Sequence, residues 1–259
     1  MRTIIRSPRR HLAGLGIAGL LTASLACGGG GGSSTPAPAP TPSSTPVAGR
    51  SAKGIIQNGV VTAYEWSGTS WAQRGTTTTN SQGDYTLNLS GYSGQALKLV
   101  ISATGTTTMV WDGPDGGGHT FGKAEAVPSS FSMQAVLPTL PAAGLTNSPI
   151  TPYTSMAAAM VEAASIKDAA TVQKAISTIN VMTGFDVAHT KVLDITSPTA
   201  MSGASTLEQR ASAMTAALAF VPGQAVSDLV KNLSQSASDG KFDGSDPIAA
   251  ALLFAARPG

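Results

Sequence analysis

The hydrophobic period of this chain changes once, and that change limits what it can fold into. From Arg50 to about Leu137, short runs rich in Val, Ile, Thr and Tyr are broken by turn signals roughly every 8 to 12 residues, the signature of an all-β unit. From about Ile150 the spacing becomes helical, near 3.6 residues per repeat. The expected fold class is therefore β plus α in two domains: an antiparallel β-sandwich over residues 50–138, then a small helical bundle over residues 150–259.

Within the β part, residues 53–57 and 60–66 flank Asn58-Gly59, a strong tight-turn pair, and predict a hairpin. Residues 71–79 follow a Ser-Gly-Thr-Ser turn. Tyr85, Leu87 and Leu89 then form a period-2 apolar face. Residues 96–103 and 106–111 are further strands, and residues 131–137 form an edge strand closed by Pro138. In the helical part, Thr151-Pro152 opens the first helix with proline in its first turn. Residues 168–182 form a second helix, stopped at Gly184. Ser205-Thr206-Leu207-Glu208 is a capping box that opens a third. Val226, Leu229, Val230 and Leu233 mark a fourth helix, and residues 248–256 a short fifth.

The N-terminal end has a different logic. Arg2, Arg6, Arg9 and Arg10 precede residues 12–26, a run without a charge, which has the length of a signal-peptide apolar region and is too short to span a bilayer. The chain's one cysteine, Cys27, follows at once, and then five glycines. This arrangement resembles the signal and lipobox of bacterial lipoproteins. The resemblance implies a signal peptide over residues 1–26, lipid on Cys27, and attachment through that lipid to the cell envelope, at the outer membrane. Ser24 stands where that family usually has Leu. Ser24-Leu25-Ala26 also has the small-x-small form of an ordinary cleavage site, so secretion without lipid is the alternative. Residues 27–49, with glycines and then Pro36, Pro38, Pro40, Pro42 and Pro46, read as an unfolded tether.

The signal carries the basic charge. Four of the 16 Lys and Arg lie before Cys27 and none of the 14 Asp and Glu do, which leaves 12 against 14 and a net charge near −2. Nucleic acid is therefore not an expected partner. A single terminal cysteine also excludes an intramolecular disulfide.

A second resemblance rests on Gly54-Ile55-Ile56-Gln57-Asn58-Gly59-Val60-Val61-Thr62-Ala63-Tyr64 and on Thr79-Asn80-Ser81-Gln82-Gly83-Asp84-Tyr85-Thr86-Leu87. These stretches are similar to the carboxypeptidase regulatory-like, or transthyretin-like, β-sandwich. Asn80 stands where that family usually has Asp. The resemblance implies a non-catalytic accessory module. The order of signal, β unit, Ile150-Thr151-Pro152-Tyr153-Thr154 helix start and a late Asp-Gly-Lys-Phe-Asp-Gly loop further resembles a group of proteobacterial envelope lipoproteins.

The chemistry-bearing residues form no strong constellation. Residues 239–246 place three carboxylates near turn glycines, but Lys241 occupies the third position of a calcium loop and no Glu closes it. Asp112 and Asp115 are a second weak calcium pair. His119 and His189 fit no zinc spacing, and Gly91-Tyr92-Ser93-Gly94 misses the nucleophile elbow. Neither an enzyme nor a cofactor is expected. The aromatics stand out more. Alternation along residues 60–66 puts Val61 and Ala63 on one face and Thr62, Tyr64 and Trp66 on the other, with Trp71 across the turn. Tyr64, Trp66 and Trp71 are the candidate ligand-binding residues, for a glycan or an envelope protein. The competing reading is that the helices cover them. The functional expectation is a lipid-anchored, non-catalytic binding or structural module. The alternatives are an accessory domain of an envelope hydrolase and a plain secreted glycan-binding protein.

Overall fold

The computed structural model describes residues 44–218 and 226–238. Within them lie nine strands in three antiparallel sheets and five helices. Cys27, the signal, most of the tether, the loop at residues 239–246 and the expected helix at 248–256 lie outside the described residues.

The first strand, β1 (Ser44–Arg50), pairs with β5 (Asp84–Ser90) in the register Val47↔Leu87. Its first six residues were expected in the tether. Composition misjudges them because their order comes from distant partners. The carbonyl of Pro46 accepts from Leu145 N–H, and Ala48 N–H donates to Leu145. The same side of the strand carries the nitrogen of Pro46, so its missing N–H removes no bond to β5. Val47 is fully buried. Gly49 runs so close to the segment beyond it that a Cβ there would stand 1.9 Å from the Ser148 carbonyl oxygen.

The Asn58-Gly59 turn exists, but the expected hairpin does not. Asn58 takes a positive φ of 57°. The chain before it, β2 (Ile56–Gln57), pairs with β7 (Thr108–Val110), which pairs in turn with β8 (Ala124–Ala126). The chain after it, β3 (Val60–Trp66), lies between β4 (Trp71–Thr78) and β6 (Leu97–Ser102), with β9 (Ser132–Leu137) on the far edge of that sheet. Thr79 explains the crossing. It bonds the backbone of both turn residues and accepts from Gly59 N–H at 2.9 Å, so the turn's polar groups need no hairpin ladder. At the next turn, Asn80 Oδ1 accepts from Gln82 N–H and Asp84 N–H, both at 2.9 Å, which is the work an aspartate would do there.

The helices follow their capping signals. α1 (Pro152–Ala163) starts at Thr151, whose side chain and that of Thr154 form a reciprocal box. α2 (Ala169–Thr183) runs from the cap Asp168 to Gly184 at φ 74°. α3 (Pro198–Ser202) was not expected. α4 (Thr206–Ala217) has the Ser205–Glu208 box, and α5 (Val226–Ala237) buries Val230, Leu233 and Ala237.

The expected seam at residues 138–150 is not a break in the packing. One buried cluster runs from Val47 through the sheets to Ala237. Edge strand β9 presents Gln134 N–H and C=O outward, and α1 closes both: Ser155 Oγ accepts from the N–H at 2.8 Å, and Thr154 Oγ1 donates to the carbonyl at 2.7 Å. Tyr85 Oη donates to the Ser148 carbonyl, and Tyr153 Oη to the Met214 carbonyl. The described β and helical parts belong to one compact unit.

Candidate functional site

Strand β3 sets the site by alternation. Val61, Ala63 and Glu65 are wholly buried, whereas Thr62, Tyr64 and Trp66 lie half-buried on the opposite face. Cross-strand pairing puts Trp71 opposite Trp66, with ring centroids 5.3 Å apart at 63°, and Lys98 opposite Tyr64. The three predicted aromatics are thus brought together on one sheet face.

Two lysines cover them. The Lys98 ammonium lies 4.6 Å from the centroid of Trp71 and 5.8 Å from that of Tyr64, and it donates to Glu162 of α1 at 2.5 Å. The Lys167 ammonium lies 5.7 Å over Trp66 and donates to the Glu162 and Ala164 carbonyls at 2.9 and 2.7 Å. Lys167 therefore closes the C-terminal end of α1, where a cation is favoured by the helix dipole. The aromatic stripe is neither bare nor beneath a helix. Its ring faces hold the cations that fasten α1 to the sheet. Trp71 Nε1 is buried and has no hydrogen-bond partner.

Glu65, on the inner face, escaped the sequence reading. Its carboxylate accepts from Ser93 N–H and Oγ at 2.8 Å, from Gln95 N–H at 3.0 Å and from Arg74 Nε at 2.7 Å. Burial alone would raise its pKa. The bonds from Gln95, Ser93 and Arg74 outweigh it and hold the group below the ordinary glutamate value. The signal was present in the alternation itself, which places position 65 beside Val61 and Ala63.

A second closed pair joins Lys53, fully buried, to Asp112. Lys53 Nζ donates to Asp112 Oδ1 at 2.7 Å, and Gly54 N–H donates to Oδ2 at 2.6 Å. Burial pulls the Lys53 pKa below its ordinary value, against the pull of Asp112 in the other direction. The candidate calcium pair is thus divided. Asp112 faces an ammonium, and Asp115 accepts from Phe121 N–H at 2.7 Å. His119 stacks on Trp111 at 4.1 Å and bonds Glu125, while His189 bonds Asp186 on the surface. Among the described residues no group of three or more His, Cys, Asp and Glu is placed to hold a metal ion, and no helix is long and apolar enough to cross a membrane.

On the other side of α1 lies an open cleft of about 580 Å³ between β9, α1 and α5. Gln134, Ser155, Glu162, Asp228, Lys231 and Ser234 are among the residues that line it. Gln134 Oε1 is buried there without a partner. No protein-family profile, curated protein or solved structure matches the chain.

Proposed function

We propose that the chain is a lipid-anchored protein of the bacterial cell envelope, held at the outer membrane through Cys27, that acts as a non-catalytic binding or structural module. The observation that carries this reading is the uncharged run over residues 12–26, preceded by four arginines and ending at the chain's one cysteine. The stretch from Gly28 to the start of β1 has the composition of a spacer, able to hold the folded unit away from a surface.

The non-catalytic part of the proposal is supported by where the buried charges go. Lys53, Asp112, Glu65 and Arg74 are engaged with one another and with backbone N–H groups. A general base or nucleophile needs a free face toward a substrate. The β part is read as a sandwich of the carboxypeptidase regulatory-like type, with support from the Asn80 turn and from the alternation of β3 and β5. In this reading Tyr64, Trp66 and Trp71 seat the α1 anchor, and a glycan or protein partner binds the same compact unit.

The test is the chemistry of the mature N-terminus. Mass spectrometry of the protein from membranes should find a chain that begins at Cys27 and carries acyl groups. A chain that begins with an unmodified Cys27 would replace the lipid reading by plain secretion.

A further inference from the structure

We infer that the cleft between β9, α1 and α5 is a binding site for a neutral, hydroxyl-rich ligand, a saccharide of about disaccharide size. The inference deepens the reading of the chain as a binding module and is independent of the lipid on Cys27.

The size is suitable: about 580 Å³ falls within the range of small-molecule sites. The lining then selects the chemistry. Gln134 projects from β9 on the face shared with Val100 and Thr62, as the pairing Thr62↔Val100↔Gln134 requires. Its backbone groups are closed by Ser155 and Thr154, yet its side-chain oxygen is buried and lacks a donor. A buried acceptor left unmade is costly, and it becomes favourable once a donor arrives. Around it the lining is rich in acceptors. The hydroxyls of Ser234 and Ser238 donate to the carbonyls of Val230 and Gln235 of their own helix, at 2.8 and 2.7 Å, which leaves their lone pairs as the available function. A ligand that fits must bring several donors.

Charge and backbone exclude the other classes. Two carboxylates, Glu162 and Asp228, are balanced by Lys98, which bonds Glu162, and by Lys231 on the rim. An anion such as a phosphate meets no net positive field, and a cation meets no net negative one. An extended peptide would add to the edge of β9, but α1 has closed that edge at Gln134. Sugar hydroxyls remain, with Ala159, Ala163 and Met133 supplying apolar surface for the C–H face of a pyranose ring.

The experiment is calorimetric titration of the processed, intact chain in detergent micelles with cellobiose, N,N′-diacetylchitobiose and, for comparison, tetra-alanine. The expected result is binding of a disaccharide with a dissociation constant on the order of 0.1–1 mM. Gln134→Met, which removes the unpartnered oxygen at similar volume, should weaken it at least about tenfold, the loss of one good hydrogen bond, while the melting temperature stays level or rises. Asp228→Asn, on the exposed side of α5, should weaken binding less and leave the fold unaltered. Three results overturn the inference: neither disaccharide binds, both variants bind as the parent does, or tetra-alanine binds as well as the sugars. None of these outcomes touches the N-terminal anchor, which is read from the mass of the mature protein.

Discussion

Replacing Asp112 with Asn isolates the most deeply buried charge in the structure. The substitution keeps the shape of the side chain but leaves the Lys53 ammonium, fully buried, without its counter-charge at 2.7 Å. The bond from Gly54 N–H, at 2.6 Å, also loses its charge assistance. Breaking a buried pair on one side costs about 3–5 kcal/mol. For a unit of this size that is a fall in melting temperature of roughly 6–20 °C. Equilibrium unfolding in urea, followed by tryptophan fluorescence, measures the loss.

The pH dependence gives a second check with a definite sign. The Lys53 pKa in the folded protein lies below its unfolded value of about 10.4. Between the two values the unfolded chain binds more protons, so stability rises with pH and falls again as pH drops through the folded pKa. Removing Asp112 removes the influence that raises the Lys53 pKa, which widens this window downward. The deficit of Asp112→Asn should therefore shrink as pH increases into the alkaline range. Adding Lys53→Met should return stability to within about 1–2 kcal/mol of the parent, since an apolar side chain no longer needs the carboxylate. A single-mutant cost below about 1 kcal/mol, or a deficit that does not respond to pH, would show that water reaches the pair and would refute the argument.

Three further outcomes follow from the same geometry. Tyr64→Ala with Trp66→Ala should cost several kcal/mol, roughly 3–5, because the rings seat Lys98 and Lys167 and hence the end of α1; a thermal melt with little change, joined to lost glycan binding, would favour an open binding stripe instead. Glu65→Gln should destabilise by about 1–3 kcal/mol above pH 5 and converge with the parent in acid. The Glu65 pKa is lowered, so its contribution is present above the unfolded value of about 4.3 and is lost as pH falls through the folded one; parallel pH profiles in urea would contradict this. Limited proteolysis should stop near Ser44, at the start of β1, and Gly49→Ala, whose Cβ would collide with the Ser148 carbonyl, should move the stop past residue 50; a stop near Arg50 in the parent would mean that β1 does not hold.

What the sequence reveals is divided by range. Local devices are legible: Thr151, Asp168 and Ser205 cap their helices, Gly184 ends one, and Asn80 organises its turn, because each acts within a few residues. Faces are legible as well, since alternation along β3 separates Val61 and Ala63 from Tyr64 and Trp66. Partners are not. The pairing of β2 with β7, and of β1 with β5 and Leu145, depends on residues 34 or more positions away, and no local propensity encodes it. The same limit applied to the aromatic site. The residues were found, but Lys98 and Lys167, which cover them, and Glu65 behind them become visible only when the strands and α1 are brought together. Gln134 carried no signal at all, because its unpartnered oxygen is a property of the assembled cleft.

The central claim is the anchor, and one measurement tests it most directly: fractionation of cells that express the parent chain or Cys27→Ser. A single acyl chain holds a protein at a membrane only marginally, while several chains at about 0.8 kcal/mol per buried CH₂ hold it firmly. The parent should sediment with the outer membrane in processed form and resist high salt, and Cys27→Ser should be found unprocessed or in the soluble fraction. A processed Cys27→Ser protein that still sediments with the outer membrane would contradict the account.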